Sequence, residues 1–277
     1  MKVERCALCN EQNLRRKESI EDPINKAVVY DLMLCLFCKT ITTTPAPKDL
    51  NKYYADNYDS YQNKKSIFSI VYSISQSFNN YYKTKILKNY KVRTVLDYGC
   101  GSGNFVKYIS KNGYEANGYE PINEIKDYRV SRSMVDFKNK KFDCITVWHV
   151  LEHTRRPLKV MRELKEKLNK NGILLLALPN YDSYDNIYYK KHWAGYDVPR
   201  HLYHFNQDSL SFISQKVGLR LIKKKQLILD SFYVSILSEK KKKNMFPTIR
   251  GLWVGLISNI LSFFNGNTSS IIYILKK

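Results

Sequence analysis

The sequence predicts an α/β protein: a doubly wound, mostly parallel sheet preceded by a small cysteine-bearing module. Three observations carry this. Residues 91–229 alternate apolar, strand-like runs with segments of helical period, the pattern of βαβ units. The run Val95-Leu-Asp97-Tyr-Gly99-Cys100-Gly101-Ser-Gly103-Asn-Phe105 joins a buried strand to a helix through a glycine-rich turn, as nucleotide-binding sheets do. Two Cys-x-x-Cys pairs stand close to the N-terminus.

Composition narrows the class. A chain of 277 residues, 44% hydrophobic and 26% charged, is neither disordered nor collagenous nor a coiled coil. Its length suits one catalytic domain with appendages. Residues 1–10 lack the apolar core of a signal peptide, so a cytoplasmic protein is expected. The longest apolar stretch, 252–264, is interrupted by Asn259 and is shorter than the roughly 20 residues a spanning helix needs. Lys and Arg number 46 against 25 Asp and Glu, a net charge of +21. The excess is nearly all lysine and accompanies abundant Asn, Ile and Tyr, the residues an AT-rich genome encodes. Arginine, the better bidentate ligand for phosphate and guanine, is scarce. No specific nucleic-acid partner is therefore expected.

The first zone, residues 1–47, holds Cys6-Ala-Leu-Cys9 and Cys35-Leu-Phe-Cys38. Two such knuckles facing each other supply four thiolates in a tetrahedron. A piece this small needs a metal or disulfides to fold, and a reducing cytosol disfavours disulfides. A structural zinc ribbon on Cys6, Cys9, Cys35 and Cys38 is expected, with a redox pair as the alternative. Residues 42–47, Thr-Thr-Thr-Pro-Ala-Pro, read as a turn-rich linker.

Residues 48–90 are dense in tyrosine (Tyr53, Tyr54, Tyr58, Tyr61, Tyr72, Tyr81, Tyr82), and Ile67, Ile70, Ile74, Phe78, Tyr81 and Tyr82 recur at helical spacing. A helical lid or brace is expected here, its aromatics either packing on the next domain or stacking on a substrate. In the core, residues 91–229, strands are expected over 92–98, 114–120, 142–148, 173–178 and 219–229. Helices are expected over 104–111, closed by Asn112-Gly113, over 157–168, stopped by Asn171-Gly172, and over 208–217, capped by Asn206 and ended by Gly218. The last zone, 230–277, contributes a lysine run at 240–243 read as a solvated loop, an apolar helix at 252–264 and a final strand at 271–275.

The glycine turn admits a nucleotide-like ligand in any Rossmann-like domain, and two details discriminate. The third glycine follows the second by two residues, where the dinucleotide fingerprint wants three. Asp97 ends the strand just before the turn, where a carboxylate repels a pyrophosphate and attracts a cation. Glu120 ends the next strand, placed to accept hydrogen bonds from ribose hydroxyls. A nucleoside carrying positive charge and no phosphate fits, and S-adenosylmethionine is such a ligand.

Asp97-Tyr-Gly99-Cys-Gly101-Ser-Gly103, Glu120, His149-Val-Leu-Glu152-His153 and Pro179-Asn180 together resemble class I S-adenosylmethionine-dependent methyltransferases. Trp193-Ala-Gly-Tyr-Asp197-Val-Pro199-Arg-His201-Leu-Tyr-His204-Phe205 is similar to a bacterial subgroup often found with surface-polysaccharide genes, many with an N-terminal four-cysteine zinc module. The resemblance covers nearly the whole chain. It implies a seven-stranded sheet with an antiparallel last strand, and a donor site of Asp97, Gly99, Cys100, Gly101, Gly103, Phe105, Glu120, Pro121, Asp136, Trp148 and His149. It implies methyl transfer to a small or carrier-linked acceptor, such as a sugar nucleotide or surface-glycan intermediate. One departure stands out: residues 121–141 leave little room for the usual helix, third strand and loop, so that sheet edge is expected to be truncated.

Methyl transfer needs an aligned nucleophile and a group to take its proton. His153, His201 and His204 are the candidates, each with a second reading as a hydrogen-bonded lock for its loop. A metal site of His149, Glu152 and His153 lacks a further ligand nearby, since Thr154-Arg-Arg-Pro157 brings positive charge instead. Cys100 and Cys144 read as packing residues. The rival class is a degenerate methyltransferase fold serving as an RNA- or protein-binding module. Peripheral contact with an anionic membrane through residues 252–264 and the neighbouring lysines is a further candidate.

Overall fold

The computed structural model describes residues 5–50, 53 and 67–277, with side chains from residue 78 onward in the helix that begins at 67. In chain order the elements are β1 (Leu14–Glu21), β2 (Val29–Cys35), β3 (Ile41–Thr44), α1 (Ile67–Lys88), β4 (Thr94–Tyr98), α2 (Asn104–Lys111), β5 (Glu115–Tyr119) and β6 (Val130–Ser131). There follow β7 (Phe142–Trp148), α3 (Pro157–Lys167), β8 (Leu168–Pro179), α4 (Tyr184–Tyr189), β9 (Tyr203–His204) and α5 (Gln207–Lys216). The chain closes with β10 (Arg220–Gln226), α6 (Ile228–Lys241), α7 (Pro247–Asn265) and β11 (Ser270–Lys276).

The main sheet has seven strands in the order β10-β11-β8-β7-β4-β5-β6. Strands β4 to β8 pair in parallel, and β11 runs antiparallel to both β8 and β10. The expected architecture is therefore present. Its centre is β8, whose residues 173–178 are almost completely buried. Strand alternation sends Leu174, Leu176 and Leu178 into one apolar cluster and Ile173, Leu175 and Ala177 into the other, so both faces of the strand are covered. Each buried leucine is worth about 1.5–3 kcal/mol of transfer free energy.

Helix α2 buries Phe105, Val106 and Ile109 on one stripe. Helix α5 begins at a reciprocal capping box between Asn206 and Ser209. Pro157 opens α3, where its missing N–H has no helical acceptor to lose.

Several elements depart from the sequence reading. Helix α3 stops at Lys167 and Leu168 already begins β8, so Asn171-Gly172 lies inside a strand rather than ending a helix. Strand β10 ends at Gln226 and the chain turns helical at Ile228, because Ser231 and Ser235 are drawn into the buried contact with α7. That contact is close: a Cβ on Gly251 or Gly255 would stand 2.5 Å from Ile236 Cα or 2.8 Å from Phe232 Cα. Lys240 and Lys241 belong to α6 rather than to a loop. The third strand exists but spans two residues, with no helix between β5 and β6.

The N-terminal segment forms an antiparallel sheet in the order β1-β2-β3-β9. The threonines read as linker are strand β3, pairing with β2 and, through Ile41 and Thr42, with His204 and Tyr203 of β9. A piece of the core segment thus completes the first sheet. Tyr53 is buried, its hydroxyl donating to Asp22, which also accepts from Tyr30. In α1, Ile86 and Leu87 pack against Val95, Phe105 and Val106, whereas Phe78 and Tyr81 of the predicted face are exposed. Tyr54, Tyr58 and Tyr61, and the side chains of Ile67, Ile70, Tyr72 and Ile74, lie outside the described residues.

Candidate active site

The site is built at the carboxyl edge of β4, β5 and β7. After β4 the chain makes three positive-φ glycines, Gly99, Gly101 and Gly103. The amides of Gly99 and Cys100 donate to the Tyr119 carbonyl at 2.8 and 3.0 Å, tying the loop to the end of β5. Cys100 packs its sulfur over Gly118, where a Cβ would lie 2.7 Å from Sγ. A Cβ on Gly99 would meet Val150 Cγ2 at 2.5 Å, yet one on Gly101 would meet nothing within 4 Å. The loop therefore packs on one side and leaves Gly101 facing open space.

Asp97 is 2% exposed and its Oδ1 accepts a hydrogen bond from Thr146 Oγ1 at 2.7 Å, the residue opposite it on β7. Burial pushes the Asp97 carboxyl up to about 6, against the pull of that hydrogen bond and of Lys83. Glu120 is also buried; its Oε2 accepts the Gly101 amide at 3.0 Å and its Oε1 the amides of Ile122 and Asn123 at 3.0 and 3.2 Å. This carboxylate thus holds the glycine loop to the loop after β5. Pro121 beside it is exposed. Asp136 is exposed on a 3-10 turn (Met134–Phe137) beyond β6, where it accepts from Ser131.

Phe105 and Trp148 meet edge to face at 5.6 Å. The Lys83 ammonium of α1 stands 4.3 Å from the centre of the Trp148 ring, within the field of Asp97 and Asp230. Trp148 Nε1 is buried with no acceptor, an arrangement native structures rarely leave unexplained.

His149 follows β7 with a positive φ of 54°. Its ring bridges Asp230 at 3.3 Å and Glu152 at 3.6 Å. Burial lowers its basicity, but the two carboxylates outweigh that and raise it to about 9. His153 and His201 meet edge to face at 4.5 Å, although 48 residues separate them in sequence. His204 sits in β9, buried, its Nε2 3.0 Å from Thr43 Oγ1 and its ring against Tyr196. The loop after β8 that presents these rings is fixed by the buried Asp185, which accepts from Trp193 Nε1 at 2.6 Å and Ser258 Oγ at 2.9 Å.

Apart from this edge, the four N-terminal cysteines converge, with Cys6–Cys38 and Cys9–Cys35 sulfur separations of 3.6 and 3.5 Å and all four within 4.8 Å of one another. A tetrahedral zinc with Zn–S near 2.3 Å needs sulfurs about 3.8 Å apart. The donor set fits. The Cys38 sulfur also pushes the Cys6 thiol down to about 5, with burial opposing it.

Sequence reasoning missed Thr146, Lys83 and Asp230. Thr146 had a signal, its register opposite Asp97 in a strand pair; the other two are brought in by helices whose packing no local pattern reveals.

A family described as a methyltransferase domain matches residues 74–224, more than half of the chain. The chain is 28% identical over 123 residues to a ubiquinone biosynthesis O-methyltransferase from Pelagibacter ubique, covering 36% of this chain and 51% of that protein. It is 28% identical over 120 residues to a tRNA U34 carboxymethyltransferase from Campylobacter fetus subsp. fetus, covering 38% and 43%. The matched stretch thus spans about half the length of the curated relatives. A crystal structure of a SAM-dependent methyltransferase from Archaeoglobus fulgidus superposes with a TM-score of 0.46 at 18% identity, covering 83% of this chain and all of that one. By the extent of the family match, this chain belongs to the methyltransferase-domain family.

Proposed function

We propose that the protein transfers a methyl group from S-adenosylmethionine to a small or carrier-linked acceptor. The observation that carries this is the uncovered backbone of Gly101 beside the buried carboxylate of Asp97: an open turn next to a group that repels a phosphate and attracts a cation. The orphaned Trp148 Nε1 fits the same reading, as a donor awaiting a ligand. When bound, S-adenosylmethionine supplies a methyl already activated on sulfonium. The chain's own work is placement. Gly99, Cys100, Gly101 and Gly103 shape the turn, Glu120 holds it, Phe105 and Trp148 wall it, and Asp136 and Pro121 border its far edge. His149 borders the donor pocket beside Trp148, His153 and His201 mark the acceptor end, and His204 anchors their loop to β3.

The cysteine cluster is proposed to hold a structural zinc, in a module of residues 1–47 followed by a brace at 48–90. A sugar nucleotide or glycan intermediate remains the specific acceptor that the sequence resemblance suggests. One further observation favours a carrier in a lipid surface. Helix α7 buries Gly251, Val254, Gly255, Ser258 and Ser262 against its neighbours and turns Trp253, Ile260, Phe263 and Phe264 to solvent, and the Lys240–Lys243 run precedes its N-terminal end. Among the described residues no helix is long and apolar enough to cross a membrane, so this face would rest on an anionic bilayer. Sedimentation with anionic but not neutral vesicles tests that contact, and failure with both removes it.

Calorimetric titration with S-adenosylmethionine tests the main reading. Saturable binding to the wild type, lost in Asp97→Ala, is expected. No binding at about millimolar ligand, together with steeply salt-dependent RNA binding, would replace it with the RNA-module reading.

A further inference from the structure

Glu152 is the most anomalous side chain outside the donor cradle. It is 1% exposed, and neither carboxylate oxygen has a hydrogen-bond partner. A buried carboxylate without a hydrogen bond is costly, and native proteins keep one only with compensating charge; His149 Nδ1, 3.6 Å away, supplies part of it here. Sequence proximity supplies His153, but the group facing both of them comes from far along the chain. His201 approaches so that one ligand atom each from Glu152, His153 and His201 lies within 4.8 Å of the others.

The outer nitrogens of both rings are occupied. His153 Nδ1 is 3.1 Å from the Arg200 carbonyl and His201 Nδ1 is 2.9 Å from the Gly195 carbonyl. A carbonyl only accepts, so each Nδ1 carries a proton, which leaves Nε2 as the nitrogen of each ring able to ligate a metal. Two imidazoles and a buried carboxylate thus stand within ligating range of one another. This is also how metal-binding histidines are oriented, by a backbone carbonyl on the far nitrogen. The charged groups nearby are already engaged. Asp197 lies 3.7 Å from His201 Nε2 but is paired at 2.7 Å with Arg200. His149, 3.6 Å from Glu152, is shared with Asp230.

We infer that Glu152, His153 and His201 bind one divalent transition-metal ion. The ligand set, two imidazoles and a carboxylate, suits Mn²⁺, Fe²⁺, Co²⁺ or Zn²⁺ and leaves coordination positions for water or a substrate oxygen. An ion about 2.1 Å from each ligand would draw the three atoms to about 3.4 Å from one another, a side-chain-scale movement. The site is separate from the four-cysteine cluster, whose thiolates select softer ions. With the ion bound, His153 and His201 are ligands rather than proton acceptors. The inference does not depend on the methyl-transfer reading.

The test uses the zinc-loaded protein titrated with Mn²⁺, followed by loss of the free-ion paramagnetic resonance signal, and with Co²⁺, followed by its visible bands. Wild type is expected to take up one ion of at least one kind per chain, with affinity reduced about 100-fold or more in Glu152→Gln and His201→Gln. His153→Gln, at a half-exposed position, covers the case in which a buried substitution prevents folding. Melting with and without added ion separates a metal ligand from a structural brace: Mn²⁺ or Co²⁺ should raise the melting temperature of the wild type but not of Glu152→Gln, whereas no rise in either would mark Glu152 as a brace for His149 alone. Neither ion binding at about 1 mM, or binding that survives in all three variants, overturns the inference and leaves His149 as the only counter-charge. S-adenosylmethionine titrations on the same samples report on the donor site independently.

Discussion

Two glycines of one loop make opposite predictions. Gly99 and Gly101 both have positive φ, 74° and 52°, so an alanine at either costs about 1–2 kcal/mol for the left-handed backbone. At Gly99 the new methyl also lands 2.5 Å from Val150 Cγ2, adding about 1–3 kcal/mol of overpacking. Each kcal/mol lowers the melting temperature of a chain this size by about 2–4 °C. Gly99→Ala should therefore lower it by about 4–20 °C, and Gly101→Ala by about 2–8 °C. The order reverses for ligand. The Gly101 methyl projects into open space, the space proposed for the donor, and should weaken S-adenosylmethionine at least about tenfold, or 1.4 kcal/mol. Thermal melting with and without ligand, plus calorimetry, reads both quantities. Equal melting losses, or full affinity in Gly101→Ala, would refute the assignment of the open face of the loop to the donor.

Asp97 links binding to pH. Because burial holds its carboxyl at about 6, above the ordinary 3.8, the folded protein keeps that proton longer than the unfolded chain. Stability is thus lost as pH rises from about 4 to 6, by about 3 kcal/mol in total, and Asp97→Asn should abolish that slope in a melting series. A cationic ligand needs the carboxylate, so wild-type affinity should fall as pH drops below about 6, while the Asn variant binds weakly throughout; a flat wild-type profile would count against the cradle. Lys83 competes for the same field, and Lys83→Met should tighten S-adenosylmethionine several-fold by calorimetry. Weaker binding would mean that Lys83 contacts the ligand instead. Cys35→Ser should remove one zinc per chain by elemental analysis and lower the melting temperature, since the module has little core of its own; retained stoichiometry would exclude the four-thiol site.

The chain's covalent pattern determined what depends on short-range physics. The strand, glycine turn and helix around Asp97, the two cysteine knuckles and the apolar run of β8 were legible because backbone sterics, ligand spacing and hydrophobic periodicity act within a few residues. Tertiary packing decided the rest. Strand β9 pairs with β3 from some 160 residues earlier, Lys83 settles over Trp148, and the segment after β10 becomes a helix because close glycine contacts reward it. Residue spacing alone argued against a metal at Glu152 and His153, since no ligand follows nearby. His201 arrives only through a folded loop, because two groups distant in sequence share a site when burial elsewhere meets the entropy cost of bringing them together.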